Sequence, residues 1–421
     1  MRLIITLFTA FTFISAQAGK AYTVIANPGE KAAHCIRINW HSDIDEKKMY
    51  CYYTECNDTD WINTKKVRPK QKLCTAYDSM YSKTSTGENI YENARFMRNT
   101  VEIKKLTPNT KYMYRIGDKP EEGEIRYFKT APEKCTWTAA IISDFHAYTP
   151  LPKRVKSAMS MLSQLETQNK SDFDMILHVG DIIAWGGSYS FWKDLYEEPF
   201  FKKYMWAGLN GNHDNMDRTN KKNSNNFFRY ANNNPQNGYN GEKGVCYHFT
   251  YGDALFIMLN NESMRSDEGL AKAQKWVKEV INKQKDTKFI IVMEHYQWFF
   301  GTDGKTSQYD RWKDIFDECS VDLAIAANNH IYARTNALYK GEETDGSRGT
   351  VYLQMPSSDN ERGQELKDWT HNKDIIKYRW SEGAKTVGAM LMKASDNELL
   401  LTLYDRNGNA IDSVIVKAKQ R

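Results

Sequence analysis

The spacing of apolar residues changes character about one third of the way along the chain. Between Gly19 and about Lys134 they come in short alternating runs, "IRINW", "MYCYY", "NTVEIKKL", "KYMYRIG" and "RYFKT", separated by turn-rich pieces. Alternation with a period of two marks strands buried on one face, so this stretch predicts a small antiparallel sandwich. Beyond it, continuous apolar strands, "TWTAAIISD", "DMILHVGD", "YMWAGLNGN", "ALFIMLN", "FIIVMEH" and "DLAIAANNH", alternate with the helical stretches "KRVKSAMSMLSQLETQ" and "AKAQKWVKEVINKQ". Strands buried on both faces with helices between them predict an α/β domain. The end, "TVGAMLMKASDNELLLTLYDRNGNAIDSVIVKA", is a run of strands with a turn at Asn407-Gly408, which predicts a second sheet packed on the first. "TAPEKC", Thr130 to Cys135, reads as the linker, so the expected units are 19–133 and 134–421 behind a leader, 1–18.

Composition refines the picture at the start of the chain and on its surface. Arg2, the apolar "LIITLFTAFTFIS" and Ala16-Gln17-Ala18 have the layout of a secretory signal peptide cut after Ala18, which implies a secreted or periplasmic protein; a membrane anchor is the alternative. Nothing downstream approaches a membrane span. The net charge of +5 is spread among mixed signs rather than gathered in a basic stripe, which argues against nucleic acid as a partner. Cys35, Cys51, Cys56 and Cys74 lie close together in sequence and predict one or two disulfides in an exported chain, or alternatively a four-thiolate zinc site. Asn57, Asn169 and Asn261 stand in glycan-acceptor triplets.

Most buried strands of the second domain end in metal-seeking residues. They are Asp144 and His146, Gly180-Asp181, Gly211-Asn212-His213-Asp214, His295, and His330. Ligands of an open α/β sheet gather at the carboxyl ends of its strands, so these side chains should meet. Carboxylate, imidazole and amide atoms suit hard to borderline divalent ions. Two such ions about 4 Å apart can hold a bridging hydroxide and clamp a phosphoryl group for in-line attack.

The five blocks in this order resemble the calcineurin-like metallophosphoesterases. The fibronectin type III-like pattern "LTPNTKYMYRIGD" ahead of them, with "HIYART" at the end, is most similar to the purple acid phosphatases. The resemblance implies an N-terminal β-sandwich followed by a two-sheet α/β/β/α metallophosphoesterase domain using two divalent ions, Fe, Mn or Zn. It implies that Asp144, His146 and His330 hold the first ion, that Asp181 bridges, and that Asn212 and His295 hold the second. His213 would stand beside the ions as donor to the leaving oxygen, with Asp214 orienting it.

Two positions depart from the family pattern. Where purple acid phosphatases carry an iron-binding Tyr this chain has Ala184, and where they carry Gly in the first block it has His146. Exchanging a phenolate for a neutral imidazole favours a divalent over a trivalent ion. In the last block Asn328 stands in place of a His, so the second ion would receive a weaker amide oxygen.

Among the remaining histidines, His178, His248, His34 and His41 read as structural, and His371 as a substitute ligand at most. Tyr148, Trp185, Tyr296, Trp298 and Phe299 follow the metal blocks and are candidates for the substrate mouth. The expected activity is hydrolysis of a small phosphorylated substrate, a monoester by resemblance. The alternatives are a phosphodiesterase with the same site and a weakly catalytic binding protein with an incomplete second metal site.

Overall fold

The computed structural model describes residues 20–46, 49–78, 92–134, 136–217, 222–223, 226–284, 286–299, 308–359, 361–366 and 373–419. Residues 1–18, where a leader is expected, Cys135 and His371 lie outside the described residues. The front of the chain forms two four-stranded antiparallel sheets. One holds Tyr22–Pro28, Cys35–Ser42, Glu92–Lys104 and Lys70–Asp78, and the other Lys65–Val67, Tyr50–Glu55, Lys111–Gly117 and Arg126–Lys129. Alternate residues such as Ile36, Ile38, Trp40, Val101 and Ile103 meet Cys51, Tyr53, Tyr114 and Ile116 in one core, as period-two patterning requires.

The expected disulfides are not formed. Cys35, Cys51, Cys56 and Cys74 are all free thiols, as are Cys246 and Cys319. Register explains it: Cys35 pairs with Lys104 and Cys74 with Phe96 on the same long strand. That offset separates them by roughly 27 Å at the rise of a β-strand. Cys51 lies in the opposite sheet, and Cys56 is in the turn beyond the end of its strand. Nearness in sequence did not survive the strand pairing.

Behind the front domain stand two stacked sheets. The first runs Trp206–Gly208, Met175–His178, Trp137–Ile142, Gly388–Ala394, Glu398–Asp405 and Ala410–Lys417. The second carries Tyr247–Tyr251, Ala254–Met258, Phe289–Met293, Leu323–Ala326, Thr350–Gln354 and Tyr332–Tyr339 as its main strands. The C-terminal strands therefore complete the first sheet instead of building the second: Met390 pairs antiparallel with Ile141. The second sheet comes from the middle of the chain.

Alternation sorts each strand between two cores. Ile141, Leu177, Met390, Ile291, Met293 and Ile325 fill the space between the sheets. Ile142 and Ile176 face the helix Lys153–Asn169 through Leu162 and Leu165, while Ile290, Val292 and Ala324 face Val277, Trp312 and Phe316 on Asp267–Lys283 and Gln308–Glu318. The result is an α/β/β/α stack. The helix Asp267–Lys283 begins where Ser266 accepts the N–H of Gly269, with Asp267 and Glu268 in its first turn and Lys283 in its last, all favourable to its dipole.

The two domains share a polar seam built on His41. Its Nδ1 meets the Tyr189 hydroxyl at 2.8 Å, its Nε2 the carbonyl of Tyr230 at 2.7 Å, and its ring stacks on Phe96. Arg98 reaches the carbonyl of Asn232, and Arg37 that of Asn233.

Candidate metal centre

Every predicted block sits just past a strand end. Asp144 and His146 follow Trp137–Ile142, Asp181 follows Met175–His178, and the Gly211–Asp214 turn follows Trp206–Gly208; His295 follows Phe289–Met293, and Asn328 and His330 follow Leu323–Ala326. The first three strands are parallel neighbours in one sheet and the last two in the other, so all five ends open on the same edge of the stack. Asp144, His146, Asp181, Asn328 and His330 have φ of 50, 43, 51, 71 and 60°. This left-handed backbone costs a non-glycine residue about 1–2 kcal/mol and reverses the chain sharply enough for side chains to converge. Two glycines make room. A Cβ on Gly180 would fall 2.6 Å from His295 Nδ1, and one on Gly211 would fall 2.1 Å from Asp181 Oδ1.

Among the described residues, Asp144 converges with His146 and His330, His146 with Asp181 and His213, and Asp144 with Asp181 and His295, each group within 4.8 Å. All four imidazoles are anchored in the same way. Nδ1 of His146 meets the carbonyl of Asp144 at 2.8 Å, that of His213 the carbonyl of Ala184 at 2.8 Å, that of His295 the carbonyl of Val179 at 2.7 Å, and that of His330 the carbonyl of Arg362 at 2.6 Å. A carbonyl only accepts, so Nδ1 carries the hydrogen and Nε2 presents its lone pair to the centre.

The Nε2 atoms surround the carboxylates at ligand-like spacing. Asp181 Oδ2 lies 3.3 Å from His146 Nε2 and 3.3 Å from His295 Nε2. Asp144 Oδ1 lies 3.4 Å from His330 Nε2 and 3.9 Å from His295 Nε2. Donors on a tetrahedral ion bound at ~2.1 Å are ~3.4 Å apart. Asp144 Oδ1 and His146 Nε2 are buried with no hydrogen-bond partner among the described residues, which fits a cation between them. Burial opposes the charge on Asp181, yet His295, His146 and His213 outweigh it and hold the carboxyl well below its usual range. Burial likewise opposes protonation of His295, but Asp181 and Asp144 push it up to about 10. Divalent ions would replace these protons as the balancing charge.

At the second position, Asn212 Oδ1 lies 3.2 Å from His295 Nε2. Asn328 joins differently: its backbone N–H donates to Asp144 Oδ2 at 3.3 Å, and its Nδ2 donates to Gln297 at 2.6 Å. His213 stands edge-on to His146, ring centroids 4.7 Å apart.

Several expectations need correction. Asp214 does not orient His213, whose Nδ1 is held by Ala184; Asp214 instead accepts the backbone N–H groups of Asp181, Ile183 and Gly211 at 2.8, 3.0 and 2.9 Å. It fastens together two of the loops that carry candidate ligands. Trp298 and Phe299 are fully buried in the helix-side core and line no mouth. Tyr296 donates to Glu262, while Trp185 lies 5.5 Å from the His213 ring and Tyr148 packs on Phe191. Asn261 is buried, its amide oxygen accepting from His295 and Tyr296 backbone N–H groups, and cannot carry a glycan as placed.

A sixth strand end went unread in the sequence. After Thr350–Gln354, Ser357 donates to the carbonyl of Asp144, and the fully buried Asp359 places Oδ2 3.7 Å from His146 Nδ1. No short motif marks this segment; only its place after another buried parallel strand could have pointed to it.

The comparisons agree with this geometry. Residues 138–332 match the family described as calcineurin-like phosphoesterase, and residues 22–130 the purple acid phosphatase N-terminal domain. Purple acid phosphatase 21 of Arabidopsis thaliana is 22% identical over 369 residues, covering 85% of this chain and 79% of its own. The structure of purple acid phosphatase PPD1 from yellow lupin, Lupinus luteus, superposes with a TM-score of 0.73 at 14% identity, covering 96% of this chain and 75% of the other. PhoD follows at a TM-score of 0.56 and 12% identity, covering 95% and 94%.

Proposed function

We propose, from the premise that this chain joins a purple acid phosphatase N-terminal domain to a calcineurin-like phosphoesterase domain, that it is an exported, metal-dependent phosphatase acting on small phosphomonoesters. The observation that carries the reading is Asp181 Oδ2, equidistant at 3.3 Å from imidazoles of two different ligand groups, the position of a carboxylate shared by two ions. Asp144, His146 and His330 would hold one ion, and Asn212, His295 and Asn328 the other. Bound divalent ions, Fe, Mn or Zn, would supply charge that polarises the phosphoryl group and activates water.

The chain's own residues do the rest. The anchored imidazoles fix the ligand geometry before metal arrives, so little reorganisation accompanies binding. His213 presents Nε2 to the centre and, with Nδ1–H committed to Ala184, must take up a proton there before passing it to a leaving oxygen. Asp181 Oδ1 meanwhile accepts the His213 backbone N–H at 2.8 Å, tying the proton donor to the bridging residue. The leader sequence supports export. A phosphodiesterase would use the same ligands.

Metal content of the purified chain, followed by assay of aryl phosphate mono- and diesters with Mn, Zn and Fe added in turn, tests the reading. At least one ion per chain as purified, two when metal is supplied, and monoester turnover are expected. A chain that binds no metal and hydrolyses neither ester would overturn it in favour of a binding protein.

A further inference from the structure

The segment after Thr350–Gln354 brings the Arg362 backbone to the metal centre and its guanidinium within electrostatic reach of it. Arg362 gives its carbonyl to His330 Nδ1–H at 2.6 Å, so its backbone touches a proposed ligand. On one side Gly363 is wedged against the 383–386 turn, where a Cβ would fall 2.3 Å from the Gly383 carbonyl. On the other, Glu361 pairs with Lys153 at the start of the helix Lys153–Asn169. The segment is held on both flanks, and the half-buried Arg362 side chain interacts electrostatically with Asp359, Asp181, Asp144, His146 and His213.

Despite this company the guanidinium has no hydrogen-bond or ion-pair partner among the described residues. Its strongest charged neighbour is another cation, Arg154, whose Nε is buried without a partner and whose guanidinium lies 5.8 Å from the Tyr148 ring. Two arginines without side-chain hydrogen-bond or ion-pair partners among the described residues, within electrostatic reach of one another and of the candidate metal ligands, leave a place for an anion, which satisfies planar donors suited to phosphate oxygens.

Resting on the phosphatase reading, we infer that Arg362, backed by Arg154, contacts the non-bridging phosphoryl oxygens of the substrate and selects dianionic monoesters over monoanionic diesters. A monoester offers one more negative charge and one more free oxygen than a diester, so a fixed guanidinium favours the monoester. The ions alone draw both.

The experiment compares the natural chain with Arg362→Gln, Arg362→Lys and Arg154→Gln, all metal-loaded. kcat/KM is measured for p-nitrophenyl phosphate and bis(p-nitrophenyl) phosphate, and inorganic phosphate binding by calorimetry. Arg362→Gln should lose roughly 10- to 100-fold on the monoester, the effect of a charge-assisted hydrogen bond, and less than about threefold on the diester. Phosphate should bind about tenfold more weakly, with metal content unchanged, and Arg154→Gln should move the same way by about threefold. Arg362→Lys should recover part of the monoester preference because it keeps the charge, a rescue that a merely structural role would not give. Equal losses on both esters, or unchanged phosphate affinity, would overturn the inference. If the natural chain turns over neither ester, the phosphatase reading fails, and phosphate affinity alone still decides whether Arg362 binds the anion.

Discussion

Asp214 Oδ2 accepts the backbone N–H of Asp181 at 2.8 Å, joining the turn that supplies Asn212 and His213 to the loop that supplies the central carboxylate. With Oδ1 on Ile183 and a second bond from Gly211, the fully buried carboxylate satisfies three backbone donors that have no other partner among the described residues. Removing it should unfasten the site before it touches chemistry. Asp214→Ala is expected to cost at least about 3 kcal/mol, since each buried donor left bare costs about 1–3 kcal/mol. Asp214→Asn should cost less, because its amide oxygen still takes the Asp181 and Gly211 donors. Denaturant unfolding with metal analysis checks this; a variant as stable and as metal-replete as the natural chain, slowed only in turnover, would return Asp214 to a catalytic role.

Asp181 and His213 should separate cleanly. Replacing Asp181 by Ala removes the oxygen common to two ligand groups and should abolish both metal binding and activity. His213→Ala leaves Asp144, His146, His330, His295 and Asp181 in place, so metal content should hold while kcat falls by roughly a hundredfold, the loss of a general acid. If the His213 variant loses an ion as Asp181→Ala does, its place in the group with His146 and Asp181 is that of a ligand.

What the sequence made legible was the chemistry at strand ends. Gly-Asp and Gly-Asn-His-Asp are readable because a metal loop needs those residue types at short spacing after an apolar run, and the sheets then bring the runs side by side. The order of strands was less legible. Nothing in "TVGAMLMK" says that Met390 will pair with Ile141 rather than start a new sheet, since pairing partners are chosen by packing across the stack. Asp359 and Arg362 escaped notice because they lie five and eight residues past their strand, in a segment with no recurring spacing. Asp214 was visible but misjudged: its role depends on three backbone N–H groups, and these leave no trace in side-chain sequence.

The domain seam should respond to pH. Burial, with Arg98 nearby, drives His41 down to about 3, only partly offset by its bond to the Tyr230 carbonyl. The unfolded chain takes a proton at about pH 6.5, whereas the folded chain refuses it until about pH 3, so stability is complete above 6.5 and is lost as pH falls between these values. The slope is about 1.4 kcal/mol per pH unit for this one group. His41→Phe, which keeps a ring against Phe96 and Tyr189, should flatten the pH dependence of denaturant unfolding between 6 and 4 by about that amount. An unchanged slope would mean that the seam opens to admit the proton before the chain unfolds.

Loaded with iron, the protein should lack the intense visible band of a ferric phenolate. Ala184 occupies the position of the family's tyrosine, and its carbonyl is engaged by His213. Tyr296 is committed to Glu262 and Arg265. An absorption spectrum of the aerobically oxidised, iron-loaded chain decides the matter, and a strong band in the visible would require a tyrosinate from elsewhere in the chain.

Asn328 tests how tightly the second ion is held. With Nδ2 donating to Gln297 at 2.6 Å, the amide is fixed by its nitrogen end, leaving the oxygen as the only donor atom it can offer a metal. An ion there would have one carboxylate oxygen from Asp181, the His295 imidazole and two neutral amides, Asn212 and Asn328, so it should bind loosely and be removed by dialysis. Asn328→His places an imidazole in that position, and changes among ligands and their supports commonly alter metal affinity about 10- to 100-fold. The variant should retain its second ion through dialysis and reach full activity at correspondingly lower added metal, while kcat at saturating metal changes little. Gln297→Leu should act in the opposite sense, because it releases the Asn328 amide from its fixed orientation and should raise the metal requirement. Titrations of activity and of bound metal for all three proteins check this together; coincident curves would show that Asn328 meets the centre only through its backbone N–H on Asp144.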